Sequence, residues 1–141
     1  MRRLSLVLFL IIVSSCNQGR SPLKTDATFR ELDLVQANFE SISQKIIGPK
    51  CLLCHTGPQS PHGIDLSGYR AIVQNSLFPP LVVPFKPEES SFYLSVKSGE
   101  MPRKFGGLSE TELEAIYNWI LNGATFNGEA APTPIATEPP D

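Results

Sequence analysis

Four stretches of the chain carry apolar residues at the spacing of an α-helix, and polar segments separate them. In the first stretch the apolar positions are Val35, Phe39, Ile42 and Ile46. Glycine and proline are common just past the end of a helix, so the Gly-Pro pair at 48–49 is predicted to end this one. The pattern therefore predicts an amphipathic first helix.

The second predicted helix is short and covers residues 68–74. Ser67 is expected to cap it, because a serine hydroxyl can accept a hydrogen bond from a free amide of the first turn. Its inward residues are predicted to be Tyr69, Ile72 and Val73.

The third predicted helix begins at Pro87. Proline is tolerated in a first turn, and the two glutamates that follow it would interact favourably with the helix dipole. Gly99 is expected to stop this helix. Its apolar side is predicted to consist of Phe92, Leu94 and Val96.

The fourth helix has the clearest signals. Ser109 and Glu112 have the spacing of a capping box, and Gly123 is expected to end the helix. Its apolar stripe is predicted to consist of Leu113, Ile116, Tyr117 and Ile120. No stretch alternates convincingly with a period of two; the only strand candidate, residues 81–83, is bracketed by prolines. The fold class predicted is therefore all-α, with about four helices.

Length and composition limit the organisation further. A length of 141 residues is enough for one domain. The formal net charge of −2 gives no basic surface of the kind that binds nucleic acid. The last residues are rich in proline and polar side chains, and such a segment buries little apolar surface. We predict a signal peptide over 1–15, a lipidated cysteine and flexible tether over 16–31, a folded domain over 32–126 and a disordered Pro-rich tail over 127–141.

The N-terminus has the pattern of a bacterial secretion signal. Two arginines precede an apolar run over 4–13, which is too short to span a bilayer. Residues 13–16 resemble the lipoprotein box, which implies that Cys16 is lipidated and anchors the protein on the periplasmic side of a membrane. Asn17 slightly favours the outer membrane by the same resemblance. The alternative is ordinary cleavage nearby, with Cys16 incidental.

The segment Cys51-x-x-Cys54-His55 carries the candidate chemistry. Two thiols two residues apart, followed by histidine, form the attachment signature of c-type haem. Each thiol can add to one vinyl group, and the imidazole can bind the iron. Two alternatives use the same residues: a zinc site completed by His62, and a redox dithiol, which is typical of a βαβ context.

An iron bound by His55 has a second axial position. Met101 lies between Gly99 and Pro102, beyond the third predicted helix, and a thioether there would raise the reduction potential. Its alternative role is to fill a gap in the core. His62 is the rival ligand, but it follows His55 so closely that it would have to wrap tightly around the ring edge. Met101 is therefore predicted as the distal ligand.

Several motifs in a fixed order are similar to those of a known family. They are Cys51-x-x-Cys54-His55, Gly63-Ile64-Asp65-Leu66, Val83-Pro84, Pro87-Glu88-Glu89-Ser90-Ser91-Phe92-Tyr93, Met101-Pro102, Leu108-Ser109 and Trp119-Ile120-Leu121-Asn122-Gly123-Ala124. Over residues 39–124 the chain resembles class I c-type cytochromes, in particular the planctomycete-type cytochrome c domain family. The resemblance implies about four helices around one covalently bound haem c.

The resemblance also implies roles for individual residues. The N-terminal and C-terminal helices are expected to cross beside the haem, with Phe39 and Tyr117 as candidates for the contact. Trp119 is expected to be a packing residue. The sequence departs from the family at Phe85, since many members have glycine after the Val-Pro pair, and the local loop shape is therefore in question.

Together these features predict a lipid-anchored, single-haem cytochrome c that carries electrons between redox partner proteins in the periplasm. It is not expected to be an enzyme, because no triad-like constellation is present. Lys97, Arg103 and Lys104 would either steer an acidic partner or form an ordinary solvated surface. Two alternatives remain: a haem-based sensor or peroxidase-like domain with a labile Met ligand, and a haem-free zinc or structural lipoprotein.

Overall fold

The computed structural model describes residues 34–134, and within them the fold is all-α, as the sequence predicts. Four helical segments, α1 to α4, are joined by loops and by two 3-10 turns, Pro61–Gly63 and Pro87–Glu89. No strand occurs in this part of the chain, and residues 81–83 are irregular. The predicted signal peptide, Cys16, the tether and residues 135–141 of the predicted tail lie outside it. None of its helices is long and apolar enough to cross a membrane.

The first segment, α1, changes its hydrogen-bonding pattern along its length. It is α-helical over Phe39–Ile42, π-helical over Ser43–Ile47 and α-helical again over Gly48–Lys50. The side chain of Asn38 caps its start by accepting a hydrogen bond of 2.8 Å from the amide of Ser41. Of the predicted apolar positions, those at 39, 42 and 46 are buried, whereas position 35 precedes the helix.

The Gly-Pro pair at 48–49 does not end α1, contrary to the prediction. A proline inside an α-helix lacks an amide donor, and its ring clashes with the carbonyl four residues earlier. The π-helical turn precedes the proline and widens the backbone, because the Gly48 amide donates to Ser43, five residues back. As a result α1 continues to Lys50 and leads directly into Cys51.

The second segment, α2, spans Tyr69–Val73 and is shorter than predicted. Gly68 occupies the cap position without a side-chain hydrogen bond, so Ser67 does not cap the helix. The Ser67 amide instead donates to the Asp65 carboxylate at 2.9 Å. The two aliphatic residues predicted to face inward, at 72 and 73, are buried.

The third segment, α3, spans Ser91–Lys97. Pro87 starts a separate 3-10 turn rather than α3, because Ser90 interrupts the helix with an extended backbone (φ −95°, ψ 112°). Leu94 is exposed, although it was predicted to face inward, since residues two apart lie on opposite sides of a helix. Gly99, with φ of 77°, follows the C-cap as predicted. The buried residues of α3 are Phe92, Tyr93 and Val96.

The fourth segment, α4, spans Glu110–Leu121 and begins with the predicted capping box. The Ser109 hydroxyl accepts from the Glu112 amide, and the Glu112 carboxylate accepts from the Ser109 amide at 2.8 Å. Of the predicted apolar stripe, Ile116 and Ile120 are buried, whereas Leu113 and Tyr117 are only half-buried. The buried residues are Ala115, Ile116, Trp119 and Ile120.

Aromatic packing joins α1 to α4. The ring centroids of Phe39 and Trp119 are 5.9 Å apart. Phe39 therefore contacts α4 as predicted, whereas the ring of Tyr117, the other predicted candidate, packs against Tyr93 of α3 with centroids 5.4 Å apart. Trp119 is fully buried and its indole nitrogen donates to the Thr125 carbonyl at 3.0 Å, which agrees with the predicted packing role.

After α4 the chain folds back onto the domain. Asn127 and Gly128 both have positive φ, 53° and 83°, and Phe126 and Glu129 exchange two backbone hydrogen bonds of 2.9 and 3.1 Å. Ala131 is buried, and its amide bonds back to the chain just after α4. The packed part of the chain therefore continues five residues past the predicted boundary at 126. The Asn-Gly pair, which favours two-residue hairpin turns, is the sequence signal that predicts this.

Candidate cofactor-binding site

The four predicted haem-contacting residues line one cavity. Cys51, Cys54, His55 and Met101 all contribute to its wall, and its volume is about 480 Å³. This volume lies within the range of about 300–1,000 Å³ that is usual for cofactor sites. Residues distant in sequence thus meet at one place. Much of the rest of the wall is apolar and includes Ile64, Leu66, Leu77, Leu81, Phe92 and Val96.

The cysteine motif forms a tight turn at the end of α1. The amides of Cys54 and His55 both donate to the Cys51 carbonyl, at 3.1 and 3.0 Å, and the Cys51 amide donates to Ile47 of α1 at 2.9 Å. Cys51 and His55 are each 9% exposed, whereas Cys54 is exposed. The turn therefore buries Cys51 and His55 and leaves Cys54 exposed.

One nitrogen of His55 is engaged by the backbone. Its Nδ1 lies 3.1 Å from the Ile64 carbonyl oxygen, and a carbonyl can only accept, so Nδ1 carries the hydrogen. In the neutral ring the lone pair is then on the other nitrogen, Nε2. Metal-binding histidines commonly show this arrangement, because the second hydrogen bond fixes the ring and its tautomer. A second hydrogen bond, 2.9 Å from the Leu66 amide to the His55 carbonyl, holds the loop between these two residues.

The Cys51 thiol is kept protonated. Burial raises the pKa of Cys51 to about 11, although the nearby Lys50 opposes the rise. Catalytic dithiols have lowered pKa values that favour the thiolate. The environment of Cys51 thus does not favour the redox-dithiol alternative.

Both candidates for the second iron ligand reach the cavity. Met101 is half-buried, and its amide donates to Ser95 of α3 at 3.0 Å. His62 also lines the cavity, but it is exposed and has a positive φ of 58° in the Pro61–Gly63 turn. The predicted ligand and its rival therefore both line the cavity, and Met101 is the less exposed of the two.

A zinc site of the predicted kind needs several converging thiolate, imidazole or carboxylate donors. Within residues 34–134, no group of three or more such side chains is placed to hold a metal ion. The zinc alternative therefore lacks a donor set in the described part of the chain.

A half-buried ion pair stands beside the motif. The Lys50 ammonium donates to both carboxylate oxygens of Glu112, at 2.6 and 2.8 Å. Burial opposes ionisation of Glu112, but hydrogen bonds from Lys50 and Ser109 outweigh it and lower the pKa of the carboxyl. This pair joins the end of α1 to the start of α4.

The three cations predicted near the site do not act together. Arg103 and Lys104 line the cavity, and Arg103 is 3.9 Å from Glu100. Lys97 pairs with Glu88 at 3.0 Å, where its ammonium also stands over an aromatic ring of α3. Of these three cations, only Arg103 and Lys104 are therefore placed to influence a ligand or partner at the cavity.

Sequence reasoning missed several features of the site. The acceptor for His55 is a backbone carbonyl, which no side-chain pattern reveals. The apolar rim is formed by Leu53, Phe78 and Phe105, which are 71%, 57% and 48% exposed. Their signal in the sequence was available, since each is a large apolar residue outside the helical stripes.

Comparison with known proteins gives no relative for this chain. No family model matches it, and neither the curated proteins nor the solved structures contain a match.

Proposed function

We propose that this protein is a single-haem cytochrome c of class I that carries electrons on the periplasmic side of a bacterial membrane. One observation carries the proposal: two thiols, an imidazole with a free Nε2 and a thioether, drawn from residues 51–55 and 101, line a single apolar cavity. These are the donors that covalent haem with histidine and methionine ligands requires.

The chain's residues fit haem in chemistry as well as number. Cys51 and Cys54 would hold the ring through thioether bonds, and the Ile64 carbonyl would keep His55 aimed at the iron. Met101 would supply the second ligand, and the apolar wall would exclude water. Haem supplies one-electron exchange at its iron, while the protein fixes the ligands and sets the potential.

If His55 and Met101 both bind the iron, electron transfer is favoured over catalysis. With both side chains bound, the chain would leave no position for a substrate, and the same two residues would serve both oxidation states. Arg103 and Lys104 at the cavity would place positive charge near the exposed edge and attract an acidic partner, at a rate that falls with salt. A sensor or peroxidase-like domain would require Met101 to leave the iron.

Optical spectra of the purified protein test the function. We expect a reduced spectrum of low-spin c-type haem, no rapid binding of carbon monoxide, and a positive reduction potential in a redox titration. A high-spin spectrum with rapid carbon monoxide binding would favour the sensor or peroxidase-like alternative. A colourless protein from cells competent in cytochrome c maturation would favour the haem-free lipoprotein.

The same spectrum locates the protein in the cell. We propose that Cys16 is lipidated, so salt-washed membranes should hold the haem signal. Cys16→Ala should remove the lipid and leave either an uncleaved precursor or a released soluble form. A mature N-terminus elsewhere, without lipid, would rule out the anchor.

A further inference from the structure

The buried stripe of α1 steps by one residue at the π-helical turn. Ile42 and Ile47 are fully buried although they are five residues apart, and Cys51, four residues further on, is 9% exposed. In an unbroken α-helix the residues on the same face as Ile42 lie four and eight positions on, which are Ile46 and Lys50. Ile46 is also buried, whereas Lys50 is half-buried and its ammonium bonds to α4. The π turn therefore brings Cys51 to the face that Lys50 would otherwise occupy.

Hydrogen bonds carry this register from the π turn to the motif. The Gly48 amide donates to Ser43, five residues back. The Cys51 amide then donates to Ile47 at the ordinary spacing of four residues, at 2.9 Å, and the His55 amide donates to the Cys51 carbonyl at 3.0 Å. The direction of the motif turn thus depends on the register of α1 at Cys51.

Pro49 is the residue that excludes the regular register. In an unbroken α-helix its ring would clash with the carbonyl of Lys45, and it has no amide to donate. Pro49 is exposed, so its effect acts through the backbone rather than through burial of its side chain. Gly48 suits the same turn, because a Cβ there would crowd the Ser43 carbonyl oxygen at 3.1 Å.

We propose that Pro49 is a positioning residue that keeps the motif turned toward the cavity, where Met101 also lies. The inference rests on the proposed function, since Met101 must meet an iron that His55 holds. If α1 took the regular register, the chain after the turn would rotate by about 100° and shift by about 1.5 Å. The motif would carry its haem with it, because its thiols and imidazole are neighbours in the sequence. Met101 follows α3 and would no longer reach the iron.

Pro49→Ala tests this role in the haem-bearing protein, since alanine lets α1 take the regular register. We expect covalent haem to remain, the low-spin spectrum to be lost and carbon monoxide to bind rapidly. Deletion of Gln44 from the same variant should restore the wild-type spectrum. Gln44 is an exposed residue of the π turn, and without it Ile42 and Ile47 stand four residues apart in a regular helix.

Gln44→Ala is the matched control and should keep the wild-type spectrum, because it changes the same turn without changing its length. Thermal unfolding of each variant separates positioning from stability. A merely structural role of Pro49 would lower the melting temperature of Pro49→Ala and leave the spectrum of the folded protein unchanged. That result, or a spectrum that the deletion does not restore, would overturn the positioning role.

Alkylation of the haem-free chain gives a second readout, which does not depend on haem or on the iron ligands. In Pro49→Ala, iodoacetamide should modify Cys51 faster than in the wild type, relative to the exposed Cys54, because Cys51 leaves the buried stripe. Deletion of Gln44 should reverse the change. An unchanged rate would also overturn the role. A wild type without haem would contradict the proposed function and leave the alkylation rates to decide, whereas a haem-bearing wild type with an unaltered Pro49→Ala would contradict only this inference.

Discussion

The imidazole of His55 is held at one end and free at the other. Its Nδ1 donates a hydrogen bond to the Ile64 carbonyl, so the ring cannot rotate without losing this partly buried hydrogen bond. A hydrogen bond of this kind also makes the opposite nitrogen a better metal ligand. If His55 binds the iron, as we propose, its ring is already fixed by the chain itself.

Met101 is the residue that should set the potential. Met101→Ala should lower the reduction potential by on the order of 100 mV, because the thioether stabilises ferrous iron. The haem should stay attached, and carbon monoxide should now bind. Redox titration and carbon monoxide difference spectra measure both effects.

Two matched variants control this experiment. Leu77→Ala removes another side chain from the same wall and should leave the ligands in place. His62→Ala tests the rival ligand and should change neither the spectrum nor carbon monoxide binding. If Met101→Ala keeps the native spectrum and potential while His62→Ala alters them, the ligand assignment is wrong.

At the scale of single residues, the sequence predicted that Cys51, Cys54 and His55 belong to one site, because their spacing in the chain is local. Met101 required knowledge of where α3 ends, which Gly99 and Pro102 signal. The Ile64 carbonyl was not predictable in the same way, because it depends on how the loop after the motif folds back and a backbone carbonyl has no signature in sequence. The residues of the apolar rim do have a signal in the sequence, but their meeting at one cavity depends on tertiary structure.

Among the helical elements, α1 and α4 are joined by an ion pair at one end and by an aromatic pair at the other. The Lys50–Glu112 pair ties the residue before Cys51 to the capping box of α4. Phe39 and Trp119 make the apolar contact. The position of the motif turn thus depends on α4 as well as on α1.

This pair should make stability depend on pH. The folded pKa of Glu112 is lowered below its ordinary value of 4.5, so the carboxylate stabilises the fold above that pH and loses the effect as pH falls through the folded value. Glu112→Gln should therefore cost about 1 kcal/mol at pH 7 and progressively less in acid. Thermal unfolding of both proteins from pH 7 to pH 3 measures the difference.

Glutamine can still accept the Ser109 amide, so this substitution removes the ion pair and keeps the capping box. Lys50→Met provides the matched control, since it removes the other partner. Both variants should converge with the wild type at low pH. A Glu112→Gln penalty that is constant across the range would show that the ionised carboxylate is not responsible.

The turn after α4 gives a second test at the scale of elements. A chain ending at residue 126 should be destabilised by roughly 1–2 kcal/mol, because Phe126 loses the turn that holds it against Tyr69 and Phe39, at 4.9 and 5.4 Å between ring centroids. A chain ending at residue 134 keeps the turn and Ala131 and should match the full-length protein in urea unfolding. If the two truncated chains were equally stable, residues 127–134 would not contribute to the fold, and the predicted domain boundary at 126 would be right.

Helix prediction succeeded where the signals were local and failed where tertiary structure decided. The capping box and closing glycine of α4 are local, and both appear as predicted. The end of α1 does not follow from local signals, because a π-helical turn accommodates the proline at 49 and the helix continues past it. Leu94 was placed on the wrong side of α3 because its spacing from residues 92 and 96 does not fit one helix face.

At the scale of the whole described domain, residues 34–134, the cavity and the helices pack together. The wall of the cavity includes core residues of α3 and of the loop at 77–81, so a large apolar group there would become part of the core. Small all-α domains have little apolar surface to bury, and a covalently held ring adds to it. We therefore expect removal of both motif thiols to weaken the fold as well as to abolish attachment.

The most direct test of the central claim is the intact mass of the protein purified from cells that mature c-type cytochromes. The mass should exceed that of the mature polypeptide by one haem, and the colour should survive extraction with acidic organic solvent, because thioether bonds are covalent. The variant with both Cys51→Ala and Cys54→Ala should lack the added mass. A wild-type mass without haem, or colour that the solvent removes, would contradict the claim that residues 51–55 attach haem.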